Sequence, residues 1–135
     1  MCLILPDINT KPLIAKKDII VYKVGKAGVE YKYFNLFKRY WFRPYIYSTF
    51  KYIKNKKNPI VELKPIKEGI KYVINKGYHA YFTYSRAYNM KTYNSVIALF
   101  KIPKSSLYFK GTDCDIVSNQ MIYLGTVQNL QVRCL

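Results

Sequence analysis

The sequence predicts an α+β fold, a mainly antiparallel sheet of about six to eight short strands with one principal helix. Short apolar and β-branched runs cut by turn residues recur along the 135 residues, which is a strand pattern. One stretch, Gly28 to Phe42, changes to helical spacing. Internal repeats, Gly/Ser linkers and low-complexity runs are missing, so one domain spanning 1–135 is expected.

Cys2 to Leu5 and Asp18 to Val24 (DIIVYKV), separated by Pro6, Pro12 and polar residues, read as the opening strands. Between Gly28 and Phe42, Val29, Tyr33, Leu36, Phe37 and Tyr40 recur at helical spacing, with Lys32, Asn35, Arg39 and Arg43 opposite. Phe34, Trp41 and Phe42 widen the apolar stripe. Pro44 biases Arg43 away from helical dihedrals and ends the segment. Tyr45 to Ile53 has the Tyr, Ile, Thr and Phe content of a strand, and KNKKNP from Lys54 to Pro59 is a turn.

Ile60 to Ile66, with Pro65 confining it to an edge or an end, Ile70 to Asn75 and Tyr78 to Tyr84 follow as short strands of a meander, joined by Lys67 to Gly69 and Lys76-Gly77. Ser85 to Asn94 lacks alternation and fits a helical turn or short helix with Arg86 and Lys91 exposed. Val96 to Ile102 (VIALFKI), closed by Pro103, is the most apolar run and the candidate central strand. Ser106 to Lys110, Ile116 to Leu124 and Thr126 to Arg133 complete a β-rich C-terminal half.

No stretch reaches the 18 or so apolar residues of a membrane span, and the N-terminus meets Asp7 before any basic residue, so neither a membrane anchor nor a signal peptide is expected. Cys2, Cys114 and Cys134 are odd in number and widely spaced, which fits a reducing compartment and a cytoplasmic location. Lys and Arg total 23 against 7 Asp and Glu, a formal +16 that internal pairing cannot neutralise. Such a field raises encounter rates with nucleic acid, anionic lipid or acidic protein surfaces. A-T-rich codon usage would account for the Lys, Ile, Tyr and Asn but not for the scarcity of Glu.

One histidine and three dispersed cysteines supply no metal spacing, and scattered glycines supply no phosphate loop, so neither metal nor cofactor is expected. Asp113 and Asp115 flank Cys114 in GTDCD, a composition that reads first as a turn. A Cys-His-Asp set from Cys114, His79 and one of these aspartates, Asp113 or Asp115, is the catalytic alternative. Cys2 would become an N-terminal nucleophile if Met1 were removed, although CLIL fits core packing. His79, in GYHAYF, fits a hydrogen-bonded strand histidine as well as a catalyst.

Tyr31 to Val61 carries eight basic residues and no acid, with Glu30 and Glu62 at its limits, and its first 22 residues hold eleven of the chain's 23 aromatics. Aromatic faces among Lys and Arg are what a single-stranded nucleic-acid surface uses. Lys32, Arg39 and Arg43 on the expected helix, and Lys54, Lys56 and Lys57 at the loop tip, are the candidate polyanion contacts.

Met1-Cys2-Leu3, AKKDIIVYKV, KGYHAY, FKIPKSSLYFKG and DIVSNQMIYLG resemble pieces of small proteins of gut bacteria and their phages, a group without an assigned activity. Against that pattern the basic aromatic segment at about 25–44 resembles an inserted helix. The resemblance implies a phage or mobile-element setting in host cytoplasm. KGYHAYFTYSRAYN followed by VIALFKIP is similar to the strand, short helix and crossing strand of ADP-ribosyltransferase-like proteins, but no Glu follows Val96 to take the place of that family's catalytic glutamate.

The first expectation is therefore a non-enzymatic accessory protein that binds nucleic acid or another polyanion. The alternatives are a protein-interaction module that inhibits a host factor or joins a virion, with Tyr and Trp as anchors, and a small enzyme using His79.

Overall fold

Residues 3–6, 9–32, 37–44, 51–111 and 114–127 are described by a computed structural model of the chain. The strands are β1 (Leu3–Ile4), β2 (Leu13–Ile14), β3 (Ile19–Lys32), β4 (Phe37–Pro44), β5 (Tyr52–Ile53), β6 (Ile66–Glu68), β7 (Lys71–Ile74) and β8 (Tyr78–Tyr81), then, after the helix α1 (Tyr84–Met90), β9 (Val96–Ile102), β10 (Leu107–Lys110), β11 (Asp115–Ser118) and β12 (Ile122–Thr126). Nine of them form one sheet along the path β12-β9-β3-β8-β11-β10-β2, with β4 paired to β3 and β5 paired to β4, and β1-β7-β6 form a second. Every pairing among the described residues is antiparallel.

The expected antiparallel sheet is present, but the helix lies elsewhere than expected. Instead of a principal helix over Gly28 to Phe42, β3 and β4 form a hairpin whose register runs from Gly25 opposite Pro44 to Lys32 opposite Phe37. Tyr33 to Leu36 lie outside the described residues. The physical reason is that Lys26 to Lys32 alternates Lys, Ala, Gly, Val, Glu, Tyr, Lys with period two, which puts Ala27, Val29 and Tyr31 on one face of a strand.

In the sheet Gly25 and Gly28 have a use. A Cβ on Gly25 would lie 2.0 Å from the Arg43 carbonyl oxygen, and one on Gly28 would lie 2.6 Å from the Trp41 ring, so their absence lets β4 close on β3.

The helix that does form is α1, within the Ser85 to Asn94 segment expected to be helical but starting one residue earlier. Thr83 caps it, its side chain accepting from the Arg86 backbone N–H at 3.3 Å. Arg86, expected to be exposed, is half-buried, and Lys91 is exposed.

β9 has the boundaries expected of Val96 to Ile102, but it lies between β12 and β3, two places from the middle of the path, which is β8. Ile116 to Leu124 is two strands rather than one, since the Ser118 hydroxyl donates to the Gln120 carbonyl at 2.6 Å and turns the chain. In Ile60 to Ile66 only Ile66 is in a strand, and Lys67 and Glu68 continue it. Tyr45 to Phe50 lie outside the described residues, as do Gln128 to Arg133 of the last expected strand.

Gly25 is the branch point of the sheet. It pairs with Val96 on β9 and with Pro44 on β4, so those strands flank opposite edges of β3. Tyr22 likewise pairs with Leu99 on β9 and Tyr81 on β8. The edge away from β9 therefore serves β8 near Tyr22 and β4 from Gly25 onward, and beyond Gly25 the hairpin continues without β9. β5 then reaches from β4 to β12: the Lys54 N–H donates to the Tyr40 carbonyl and the Asn55 N–H to the Tyr123 carbonyl, both at 2.8 Å.

Side chains from seven of these strands enclose the main core, which includes Val21, Phe42, Tyr52, Ala80, Phe100, Ile116 and Tyr123. Phe100 is fully buried and stands at 4.9–5.4 Å from the rings of Tyr52, Tyr123 and Phe42. Each such aromatic pair adds roughly 0.5–1.5 kcal/mol beyond its area burial. Phe42 thus roots the hairpin in the core. On the other face of β3, Val24, Tyr81, Ala87 and Ile97 pack beneath α1.

Candidate nucleic-acid interface

Alternation along the hairpin sorts its side chains onto two faces. Register puts Lys26 with Arg43, Gly28 with Trp41, and Glu30 with Arg39 on one of them. With no Cβ on Gly28, the Trp41 indole lies over the β3 backbone. Arg43 and Lys51 each place their charge 5.8 Å from the indole centroid. Glu30 bonds Lys51 at 2.9 Å and Arg39 at 3.6 Å. The acid that marked the limit of the basic segment in sequence is therefore inside the patch in space and partly neutralises those two cations.

On the opposite face Val29, Tyr31 and Tyr40 are exposed, and Lys54 lies 5.2 Å from the Tyr40 centroid. Lys54, Lys56 and Lys57 are all exposed and make no ion pair among the described residues. Their loop is held from beneath by Asn55, which adopts the left-handed φ of 63° that asparagine tolerates, and by Asn58, whose side chain donates to the Met121 carbonyl at 2.7 Å. Gln120 Nε2 donates to the Asn58 carbonyl. The lysines are thus carried on an anchored turn.

Of the polyanion candidates, Arg39 and Arg43 share one face, as the helical reading also had them, but through strand alternation. Lys32 ends β3 opposite Phe37. Lys26 and Lys51 belong to the patch and fell outside the candidate list. The period-two run around Lys26 was the signal that could have found the first, while only the fold brings Lys51 to Trp41.

Of the catalytic candidates, His79 and Cys114 are among the described residues, and they are not brought together there. His79 is buried on β8, its Nε2–H donates to the Asn75 carbonyl at 2.8 Å, and burial pushes its pKa down to about 4 despite that bond, with the nearby Lys23 charge acting in the same direction as burial. Cys114 is exposed, and its carbonyl accepts from the N–H of Phe82, just beyond β8, at 2.7 Å; Phe82 is three residues from His79, or roughly 10 Å of extended chain. Cys2 and Asp113 lie outside the described residues. No group of three potential metal ligands occurs among the described residues.

Lys23 is the buried group that the sequence did not single out. It points into the main core beside Tyr52 and Phe100, its ammonium 5.2 and 5.6 Å from their centroids, and it donates to the His79 carbonyl. Burial lowers its pKa to about 7.

No helix among the described residues is long and apolar enough to cross a membrane. In comparisons with known proteins, no family model, no curated protein and no solved structure matches the chain.

Proposed function

We propose that this is a non-enzymatic nucleic-acid-binding protein, an accessory protein of the phage or mobile-element kind, whose contact surface is the β3–β4 hairpin with the adjoining Lys54–Lys57 turn. The observation that carries the reading is the Trp41 indole flanked by Arg43 and Lys51 on an extended ribbon, with Lys26 beside them. Cations adjoining an aromatic face can hold phosphates while the ring stacks on a base. Lys54, Lys56 and Lys57 add charge on a turn where phosphates approach without displacing packing. The long-range field of the +16 chain steers a polyanion toward it.

The test is fluorescence anisotropy of labelled DNA and RNA, single-stranded and duplex, at about 50 and 200 mM salt. Four phosphate contacts on a single strand weaken binding by about 50-fold between those salts, because each contributes roughly 0.7 to the log–log slope. Replacing Lys54, Lys56 and Lys57 by Ala lowers that slope. Absence of binding at the lower salt refutes the reading.

The exposed Val29, Tyr31 and Tyr40 on the other ribbon face favour a second reading, a protein-interaction module. It predicts capture of a protein partner that tolerates added salt.

A further inference from the structure

A concave groove of about 580 Å³ opens between α1 and the start of β3, away from the hairpin tip. Tyr22, Phe82, Tyr84 and Tyr88 supply its aromatic walls, and Ser85 and Asn89 supply polar edges. Tyr22 and Tyr84 meet edge to face at 5.7 Å, and Tyr88 is 6.1 Å from Tyr84. Tyr88 and Phe82 remain exposed, at 58% and 38%. The groove is therefore wide enough for a planar ligand and is lined by rings that the fold leaves uncovered.

Its charge points to an anion. None of its described lining residues is a carboxylate. Lys110 holds its ammonium 4.5 Å from the Phe82 centroid at the rim. Asp18, two residues before the groove residue Ile20, is engaged by Lys101 at 3.9 Å and by the Lys104 backbone N–H at 2.8 Å.

The groove also lies on the hairpin's own path. Ile20 and Tyr22 have the same parity on β3 as Lys26 and Gly28, so they share the face on which Arg43 and Trp41 stand. Tyr22 and Gly28 are six residues apart, about 20 Å of strand. That length corresponds to no more than about six nucleotides at a stacked rise of about 3.4 Å.

From this geometry we infer that the ligand is a single-stranded nucleic acid, which passes from the Trp41 patch across α1, beneath which Val24 of β3 is buried, and seats an unstacked base in the tyrosine groove. This rests on the nucleic-acid reading of the hairpin and adds the strandedness of the ligand and a second contact. A duplex keeps its bases stacked and offers none to the groove, whereas a single strand presents a π face to Tyr88 and Phe82 and hydrogen-bonding edges to Asn89 and Ser85.

The experiment compares three labelled probes at one salt concentration: a 12-nucleotide oligothymidylate, an abasic 12-mer with the same phosphates, and a 12-base-pair duplex. Wild type binds the oligothymidylate at least about fivefold more tightly than the abasic strand, the lower end of what stacking one base contributes. Tyr88→Ala reduces that preference to the share that stacking on Trp41 supplies and leaves the salt slope unchanged. Arg43→Ala lowers the slope for both strands.

A preference for the oligothymidylate that Tyr88→Ala leaves unchanged, with binding still reduced by Arg43→Ala, overturns the groove and keeps the hairpin, because Trp41 alone then supplies the stacking. Tighter binding of the duplex than of the single strand does the same. Failure of all three probes to bind at about 50 mM salt overturns both. Tyr88 is exposed on α1, and Tyr88→Leu removes the ring with a good helix former, so a Tyr88→Ala protein that misfolds does not block the test.

Discussion

Lys23 makes folding depend on pH in a window where few other groups titrate. Its amine has a pKa of about 7 in the folded protein, against 10.5 for an ordinary lysine. Above pH 7 the folded chain has released a proton that the unfolded chain keeps until about pH 10.5. The contribution of Lys23 to stability is therefore greatest above pH 10.5, is lost as pH falls toward 7, and is constant below that. At about 1.4 kcal/mol per pH unit the whole interval amounts to about 5 kcal/mol, of which about 2 kcal/mol falls between pH 7 and pH 9.

Lys23→Met keeps an unbranched side chain of similar volume and removes the charge. The variant is expected to be more stable than wild type at pH 7 and to lose the slope, as happens when buried ionic groups give way to well-packed apolar ones. It forfeits the Tyr52 and Phe100 ring contacts of the ammonium and the bond to the His79 carbonyl, so its gain stays below the full 5 kcal/mol or so.

The assay is urea unfolding at pH 7, 8 and 9 under reducing conditions, followed by Trp41 fluorescence and far-ultraviolet circular dichroism. The series stops at about pH 9 because burial pushes the Tyr52, Tyr78, Tyr81 and Tyr123 phenols above the ordinary 10, so they withdraw stability at higher pH. A wild-type profile flat from pH 7 to 9, or a Lys23→Met variant with an unchanged slope, would refute the buried amine.

His79 acts in the same sense at lower pH. With a pKa of about 4 against 6.5 unfolded, wild type is expected to lose about 2 kcal/mol between pH 7 and pH 5, and His79→Leu to lose that dependence in the same urea assay. Gly28→Ala places a methyl group 2.6 Å from the Trp41 ring and must displace the indole. Because Trp41 is the chain's one tryptophan, the displacement reads directly as an altered emission maximum, with a stability change within about 1 kcal/mol. An unchanged spectrum would contradict the ring's seat on the β3 backbone.

The sheet was legible wherever one signal stood alone. Val96 to Ile102 is apolar, β-branched and stopped by proline, and β9 occupies those residues. The short helix at Ser85 to Asn94 was legible because strand alternation is missing there. Gly28 to Phe42 carried two periods at once. Val29, Phe37 and Tyr40 satisfy helical spacing, while Lys26 to Lys32 satisfies alternation, and an isolated sequence does not weigh one against the other. Phe42 decides it by packing against Phe100 and Tyr123, contacts that demand β4 beside β3.

By itself, then, the sequence determined an antiparallel, strand-rich chain of high positive charge, and it located the cations and aromatics that share the segment from Tyr31 to Val61. Composition and local spacing suffice for that, because strand propensity, turn residues and net charge are properties of neighbours along the chain. Only the tertiary structure decided that Gly25 to Lys32 and Phe37 to Pro44 form a ribbon, that Glu30 lies within the patch, that Lys23 is buried beneath Tyr52, and that Tyr22 and Tyr88 form one groove. Those relations join residues distant along the chain, and the free energy that chooses among them comes from burial and cross-strand contact.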